Sequence, residues 1–364
     1  MNRSTQLNAI HRAAGAKMVD FHGWDMPLHY GSQMEEHHGV RTDAGIFDVS
    51  HMTVVDLDGA GAEAWLRTLL ANDVARLGGA GEAQYTAMLD DAGGVLDDLI
   101  VYRRAVGWRL VVNSATRDKD LAWMRGRLAT DVTLTERDDL AMIAVQGPQA
   151  LARAEAWLGA VAADFSELAA FRFLEDGERM IARTGYTGED GFEAILPNVD
   201  VEAAWQALVA AGVRPAGLAA RDTLRLEAGM NLYGQDMDEA VTPLESNMAW
   251  VLALDTPGRD FAGRAVIEQR KAQGVAHRLV GVVLDDRGVL RAGQALVAEG
   301  REIGVLTSGA FSPTIGKGIG LARIESAFAP GKTPREGIKV AIRGRELAVR
   351  LLRPPFVRAG KVRI

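Results

Sequence analysis

Two adjacent carboxylates are the most direct candidates for proton chemistry in this sequence. They lie in Asp91-Ala92-Gly93-Gly94-Val95-Leu96-Asp97-Asp98-Leu99-Ile100-Val101. A Gly-Gly turn leads into an apolar strand, and strand alternation turns Asp97 and Asp98 to opposite faces. One can face solvent while the other faces inward. An inward carboxylate on an apolar strand needs a partner, because an unpaired buried charge is costly. That makes one of the two a functional candidate. A solvated hairpin turn accounts for the same pattern equally well.

Three further clusters carry polar chemistry. In Phe47-Asp48-Val49-Ser50-His51-Met52, an Asp and a His three apart could act as a pair. The competing and preferred reading is a turn, with Asp48 capping and His51 buried by hydrogen bonding. Thr184-Gly185-Tyr186-Thr187-Gly188-Glu189-Asp190-Gly191-Phe192-Glu193 is Gly-rich, but two acids would repel phosphate and no Lys-Ser/Thr follows. It reads as a hairpin turn, or as a ligand edge whose three acids favour a partner that donates hydrogen bonds. Ala216 to Gly229 reads as a helix with Leu218, Arg221, Asp222 and Arg225 at spacings of three and four. Asp222 and Arg225 could form a surface ion pair, whereas Arg221 borders the apolar stripe and could point inward. No metal site is evident: His37 and His38 are adjacent and point apart, and His22 and His29 lack a partner at helical spacing.

Elements must position these groups. At 364 residues, two or three compact units are expected, and 48% hydrophobic residues supply ample core. Helical periodicity marks residues 61–70, 117–128, 149–157 and 201–211. In the last, Val201, Ala204, Trp205, Leu208 and Val209 form one stripe, with Asp200 as N-cap and Gly212 as stop. Strand-like runs lie at 52–57, 99–103, 110–113, 142–146 and 193–196. This is a mixed α+β pattern, and residues 1–275 read as two intertwined subdomains with a boundary near 50–140. After about residue 276 the texture becomes β-rich, with runs at 279–284, 301–307, 318–323, 337–342 and 346–351. That spacing fits a small antiparallel barrel or sandwich over 276–364, with 256–273 as the connection.

Composition closes off several classes. With no cysteine, neither disulfides nor thiolate chemistry is available, so any sulfur must come from a partner or ligand. A net charge of −7 argues against nucleic acid as a partner. No run of 18 apolar residues exists to span a membrane, and the N-terminal residues are polar. The expected location is the cytoplasm.

Taken in order and spacing, the four clusters resemble the T-protein (aminomethyltransferase) family of the glycine cleavage system. Residues 15–30, Tyr85-Thr86-Ala87-Met88-Leu89, Val145-Gln146-Gly147-Pro148, Asn231-Leu232-Tyr233-Gly234-Gln235-Asp236 and Thr307-Ser308-Gly309 add to the match. The resemblance covers essentially the whole chain. It implies a three-domain cloverleaf with a C-terminal antiparallel β-barrel and tetrahydrofolate in a central cavity. It also implies a lipoylated H-protein as partner. The aminomethyl carbon would pass from its lipoyl arm to tetrahydrofolate, giving 5,10-methylene-tetrahydrofolate, ammonia and the reduced arm. By the same resemblance, the catalytic aspartate falls on Asp98, the pterin-binding glutamate on Glu193 and the substrate-contacting arginine on Arg221. Tyr85, Asn113, Tyr186, Tyr233 and Met52 are implied as pocket residues, and no metal is.

One departure concerns the tail, Pro355-Phe356-Val357-Arg358-Ala359-Gly360-Lys361, where a family tyrosine is replaced and Lys361 stands near its place. Two other readings share the fold. One is a folate-dependent demethylase of a small methylated amine. The other is a non-catalytic folate-binding factor of iron–sulfur assembly, which need not keep Asp98, Glu193 and Arg221.

Overall fold

A computed structural model of the chain describes residues 2–364. Two compact units each gather separated stretches of sequence. The first takes the residues up to Trp65, Val74–Tyr85 and Leu99–Leu224. The second takes Leu66–Asp73, Thr86–Asp98 and Arg225–Ile364.

A six-stranded sheet organises the first unit. Its order is Phe173–Asp176, Arg179–Ala182, Gly191–Pro197, Leu140–Gln146, Gly45–Asp48 and Arg214–Pro215. Neighbours are antiparallel except the last pair, which is parallel. Its central strands are almost wholly apolar because both faces are covered. On one face Ile143, Val145, Phe192, Ala194 and Leu196 meet Ala150, Ala154, Leu158, Ala204, Trp205 and Leu208 from helices Ala150–Leu158 and Val201–Ala210. On the other, Met142, Ala144 and Ile195 meet Phe47, Tyr102, Phe173, Ala216, Ala220 and Leu224. Glu193 alternates with Phe192 and Ala194, so it belongs to this second face.

The helix Val201–Ala210 buries Val201, Ala204, Trp205 and Leu208 as the periodicity requires. It ends at Gly212, whose φ of 92° suits a residue without a side chain. Its start departs from expectation, since the Asp200 side chain makes no cap hydrogen bond.

A five-stranded sheet has the order Glu82–Leu89, Val95–Arg103, Trp108–Val112, Thr53–Asp58 and Thr133–Glu136. Its first two strands pass from one unit into the other, between Tyr85 and Thr86 and between Asp98 and Leu99. The turn before Val95–Arg103 depends on glycine. Gly93 has φ of 83°, and a Cβ on Gly94 would stand 2.0 Å from the Glu239 carbonyl oxygen.

The second unit contains a closed antiparallel barrel, so the barrel and not the sandwich alternative is realised. The order is His277–Leu284, Lys317–Glu325, Arg301–Ser312, Ala295–Ala298, Arg335–Ile342 and Arg345–Leu352, and the last strand pairs back to the first. Val282, Leu284, Leu296, Leu306, Ile324, Val340 and Leu351 fill its core. The stretch expected as a mere connection carries the helix Arg264–Gln273. Among the described residues no helix is long and apolar enough to cross a membrane.

Arg225 is not the surface residue that its spacing from Asp222 suggested. It is buried, and its guanidinium lies 2.8 Å from Asp236. Asp236 also accepts from Thr307 Oγ1 at 2.5 Å, Ser308 Oγ at 2.8 Å and the Leu232 N–H at 2.9 Å. Arg225 in turn reaches Ser308 Oγ at 2.9 Å. Two sequence motifs far apart in the chain thus meet in one polar knot that neutralises a buried charge pair. Ser308→Ala should lower stability by about 1.5 kcal/mol, near the low end for hydrogen bonds to charged groups, because Thr307 and Leu232 remain. Chemical denaturation would measure it, and an unchanged midpoint would remove Ser308 from the knot.

Candidate active site

Glu193 anchors the site in the first unit. It is 7% exposed, and Thr184 Oγ1 donates to its Oε2 at 2.6 Å. Burial raises its pKa, opposed by the Thr184 hydrogen bond and by the charge of Arg221. The Tyr102 hydroxyl is also buried, and the nearby Glu193 charge adds to burial in raising its pKa. Arg221 sits in the helix Leu218–Glu227 and points toward this face, with its guanidinium carbon 4.6 Å from the centre of the Tyr186 ring. Burial lowers its pKa, and Tyr186 and Glu193 oppose that. Carboxylate, guanidinium and aromatic face are thereby gathered on one side of the sheet. A carboxylate with acceptor capacity left over suits a planar edge of N–H donors.

The loop carrying Tyr186 is fixed from beneath. Arg41 donates to the Thr187 carbonyl and to Glu189, each at 2.7 Å, and reaches the Leu224 carbonyl at 3.3 Å. Gln146 Oε1 accepts from Thr187 Oγ1 at 2.7 Å, and its Nε2 donates to the Thr184 carbonyl at 3.2 Å. This corrects the reading of three acids as one ligand edge. Glu189 is held by Arg41, and Asp190 by Arg183 and the Gly191 N–H. Glu193 alone keeps its place on the inner face. Arg41 has no motif around it that sequence reading could have used.

The Asp48–His51 pair is also corrected. Asp48 is buried, but its partners are Thr5 Oγ1 at 2.6 Å, His11 Nε2 at 2.9 Å and the Ser50 N–H at 2.9 Å. His51 is buried too, yet its Nδ1 has no hydrogen-bond partner. His37 and His38 do not point fully apart, since their rings meet edge to face at 5.7 Å.

Other expected residues fall as follows. Met52 is half-buried against the Phe47–Tyr102 core. Tyr85 lies half-buried on Glu82–Leu89, and Asn113 half-buried just past Trp108–Val112. In the second unit, Asp98 is half-buried on Val95–Arg103, whereas Asp97 is fully buried. Asp98 shares its strand face with Ile100 and Tyr102. The Tyr233 hydroxyl donates to the Val95 carbonyl at 3.1 Å, so Tyr233 braces the start of the strand that bears Asp98. Among the described residues no group of three or more His, Asp or Glu side chains is placed to hold a metal ion.

The fold is therefore that of an α+β chain with a closed C-terminal barrel and a buried carboxylate–guanidinium site. Residues 7–256 match the GCVT N-terminal domain and residues 277–358 the glycine cleavage T-protein C-terminal barrel domain. The chain belongs to the glycine cleavage T-protein family. It is 55% identical over 367 residues to an aminomethyltransferase of Pseudomonas syringae pv. tomato, covering 100% of both chains. It is 56% identical over 369 residues to one of Xanthomonas oryzae pv. oryzae, covering 99% of this chain and 98% of that one. Among solved structures, the glycine cleavage system aminomethyltransferase T from Bartonella henselae is similar over 100% of both chains, with a TM-score of 0.92 and 32% identity.

Proposed function

We propose that this aminomethyltransferase takes its one-carbon unit from a lipoylated H-protein and passes it to tetrahydrofolate in the cytoplasm. The supporting observation is the buried Glu193 carboxylate, bonded on one oxygen by Thr184 and placed in the field of Arg221, with Tyr186 beside the guanidinium. Glu193 accepts from the ring N–H and exocyclic amine of the pterin, an edge shaped like one side of a guanidinium. Arg221 contacts the substrate, and Tyr85, Asn113, Tyr186, Tyr233 and Met52 are pocket residues. Asp98 hydrogen-bonds the folate nitrogen that attacks the aminomethyl carbon, positions it and manages its proton. The carbon leaves sulfur and its amine for two folate nitrogens, so the products are 5,10-methylene-tetrahydrofolate, ammonia and the dihydrolipoyl arm. No metal enters this scheme. The demethylase and assembly-factor readings are not favoured, since the full-length relatives are named as aminomethyltransferases.

The test supplies aminomethyl-loaded H-protein and tetrahydrofolate and measures ammonia and methylene-tetrahydrofolate together. Stoichiometric release of both supports the reading. Turnover of a free methylated amine without the carrier would favour the demethylase, and folate binding without turnover the assembly factor.

The carrier must dock despite this chain's net charge of −7. H-proteins tend to be acidic, so local cations are required. Of the C-terminal candidates Arg343, Arg345, Arg350, Arg353, Arg358, Lys361 and Arg363, Arg350 is held by Asp285 at 2.9 Å. Arg358 and Lys361 face each other in register on the short ladder of Val357–Arg358 and Lys361–Val362, and both are exposed. Reversing both to Glu should raise the KM for H-protein roughly three- to tenfold at low salt and leave folate binding intact. The difference should shrink as salt shortens the range of the field. A KM indifferent to salt and to both reversals would place the docking face elsewhere.

A further inference from the structure

Asp98 lies near the start of a strand that is only partly laddered. Pairing between Val95–Arg103 and Trp108–Val112 begins at Ile100, opposite Val111, so residues 95–99 take no support from that strand. The start of the strand is held instead by the irregular segment 232–241. The Val95 N–H donates to the Asp238 carbonyl at 3.2 Å and to the Val241 carbonyl at 3.1 Å. The Val95 carbonyl accepts from the Tyr233 hydroxyl at 3.1 Å. Both backbone groups of Val95, three residues before Asp98, are thus gripped by one segment.

The grip is close. A Cβ on Gly94 would stand 2.0 Å from the Glu239 carbonyl oxygen, so the turn and the segment touch backbone to backbone. The turn cannot retreat, because the chain entering the helix Arg264–Gln273 abuts it. A Cβ on Gly263 would stand 2.6 Å from the Asp90 carbonyl oxygen.

An irregular segment holds a strand only if it is itself held. Asp236 does this from within. It is fully buried, and its carboxylate accepts from Arg225, Thr307, Ser308 and the Leu232 N–H. Its own N–H donates to the Leu232 carbonyl at 2.9 Å, and its carbonyl accepts from Arg323 Nη2 at 2.5 Å. One residue therefore ties the segment to the barrel strands that carry Ser308 and Arg323. Asp236 stands between Tyr233 and Asp238, two of the residues that grip Val95, so its displacement moves both.

We propose that Asp236 is a positioning residue for Asp98, acting through residues 232–241 and their grip on Val95. This rests on the reading of Asp98 as the group that positions the folate nitrogen and manages its proton. The buried knot then serves turnover as well as stability: it fixes the start of the strand from which that carboxylate projects.

The test compares Asp236→Asn, Gly94→Ala, Asp98→Asn and the two doubles that combine each of the first with the last. Single-turnover rapid quench with saturating aminomethyl-loaded H-protein and tetrahydrofolate gives the rate, and calorimetric titration gives folate affinity. Asp236→Asn and Gly94→Ala should each slow turnover roughly 10- to 100-fold, the scale of a small misplacement, with folate affinity unchanged. On the Asp98→Asn background either should cost no more than about twofold further, because the group it positions is already gone. A full repeat of the loss on that background would overturn the proposal, since the harm would not run through Asp98. So would parental turnover in folded Gly94→Ala, or a fall in folate affinity that matched the fall in turnover. Asp236→Asn weakens a buried ion pair and puts folding at risk. Gly94→Ala leaves that pair intact, and the exposed Glu239 and Ala240 let the segment yield outward, so it carries the test alone if needed. If Asp98→Asn is slow and Gly94→Ala is not, the Asp98 reading survives and this proposal fails. If Asp98→Asn turns over like the parent, both fail.

Discussion

Asp98→Asn should fold normally, bind tetrahydrofolate with near-parental affinity and turn over about 10²–10⁴-fold more slowly. The amide preserves size and can still form a hydrogen bond, but it cannot accept the proton of the attacking folate nitrogen. The neighbouring acid supplies the control. Asp97 occupies the opposite strand face and is fully buried, whereas Asp98 is half-buried. A group sealed from the ligand cannot trade protons with it, so Asp97→Asn should be read in stability and not in turnover per folded molecule. Rapid-quench measurement of methylene-tetrahydrofolate, paired with thermal melts of both variants, separates the two. If Asp97→Asn lost turnover while retaining its melting temperature, the assignment of faces would be reversed.

This pair also shows how far sequence reading reached. Alternation separated the two acids, but burial alone would have selected Asp97, the more enclosed. Only the resemblance to a known family put the role on Asp98. Regular elements were legible because their signals are local. The stripe of Val201, Ala204, Trp205 and Leu208 is buried as read, and the five β runs after residue 276 all became barrel strands. Ala295–Ala298, the sixth, is only four residues long and too short to show alternation.

What escaped the sequence is long-range pairing. Arg41 grips a loop more than 140 positions away, and nothing near Arg41 or near Thr187 announces it. Thr5 and His11 claim Asp48 from more than 35 positions off, which dissolves the apparent Asp48–His51 pair. Arg225 reaches Asp236, eleven positions on, and Ser308 completes the set from 83 positions away. In each case the partner comes from far along the chain, because a buried charge is stabilised by the geometry of the whole fold.

Glu193→Gln should weaken tetrahydrofolate binding by about 1.5–3 kcal/mol, roughly 10- to 100-fold, through loss of a charge-assisted pair. The substitution keeps the shape and lets one oxygen still accept from Thr184, but it turns an acceptor toward the pterin edge into a donor. The same change should improve the ligand-free protein. Burial raises the Glu193 pKa above its ordinary 4.5, so the native state holds a proton that the unfolded chain has already released. As pH rises from 4.5 through the folded pKa, the native state is progressively disfavoured relative to one with a neutral side chain. Glutamine carries no such cost. The melting temperature of Glu193→Gln should therefore match the parent near pH 4, exceed it increasingly as pH rises through the folded pKa of Glu193, and keep that margin above it. Calorimetric scans across that range, with folate titrations at pH 7.5, measure both halves. Loss of affinity together with a gain in unliganded stability is what a carboxylate kept for its ligand requires. A variant that bound folate unchanged would remove Glu193 from the pterin edge, and one destabilised at pH 8 would show that its charge serves the fold instead.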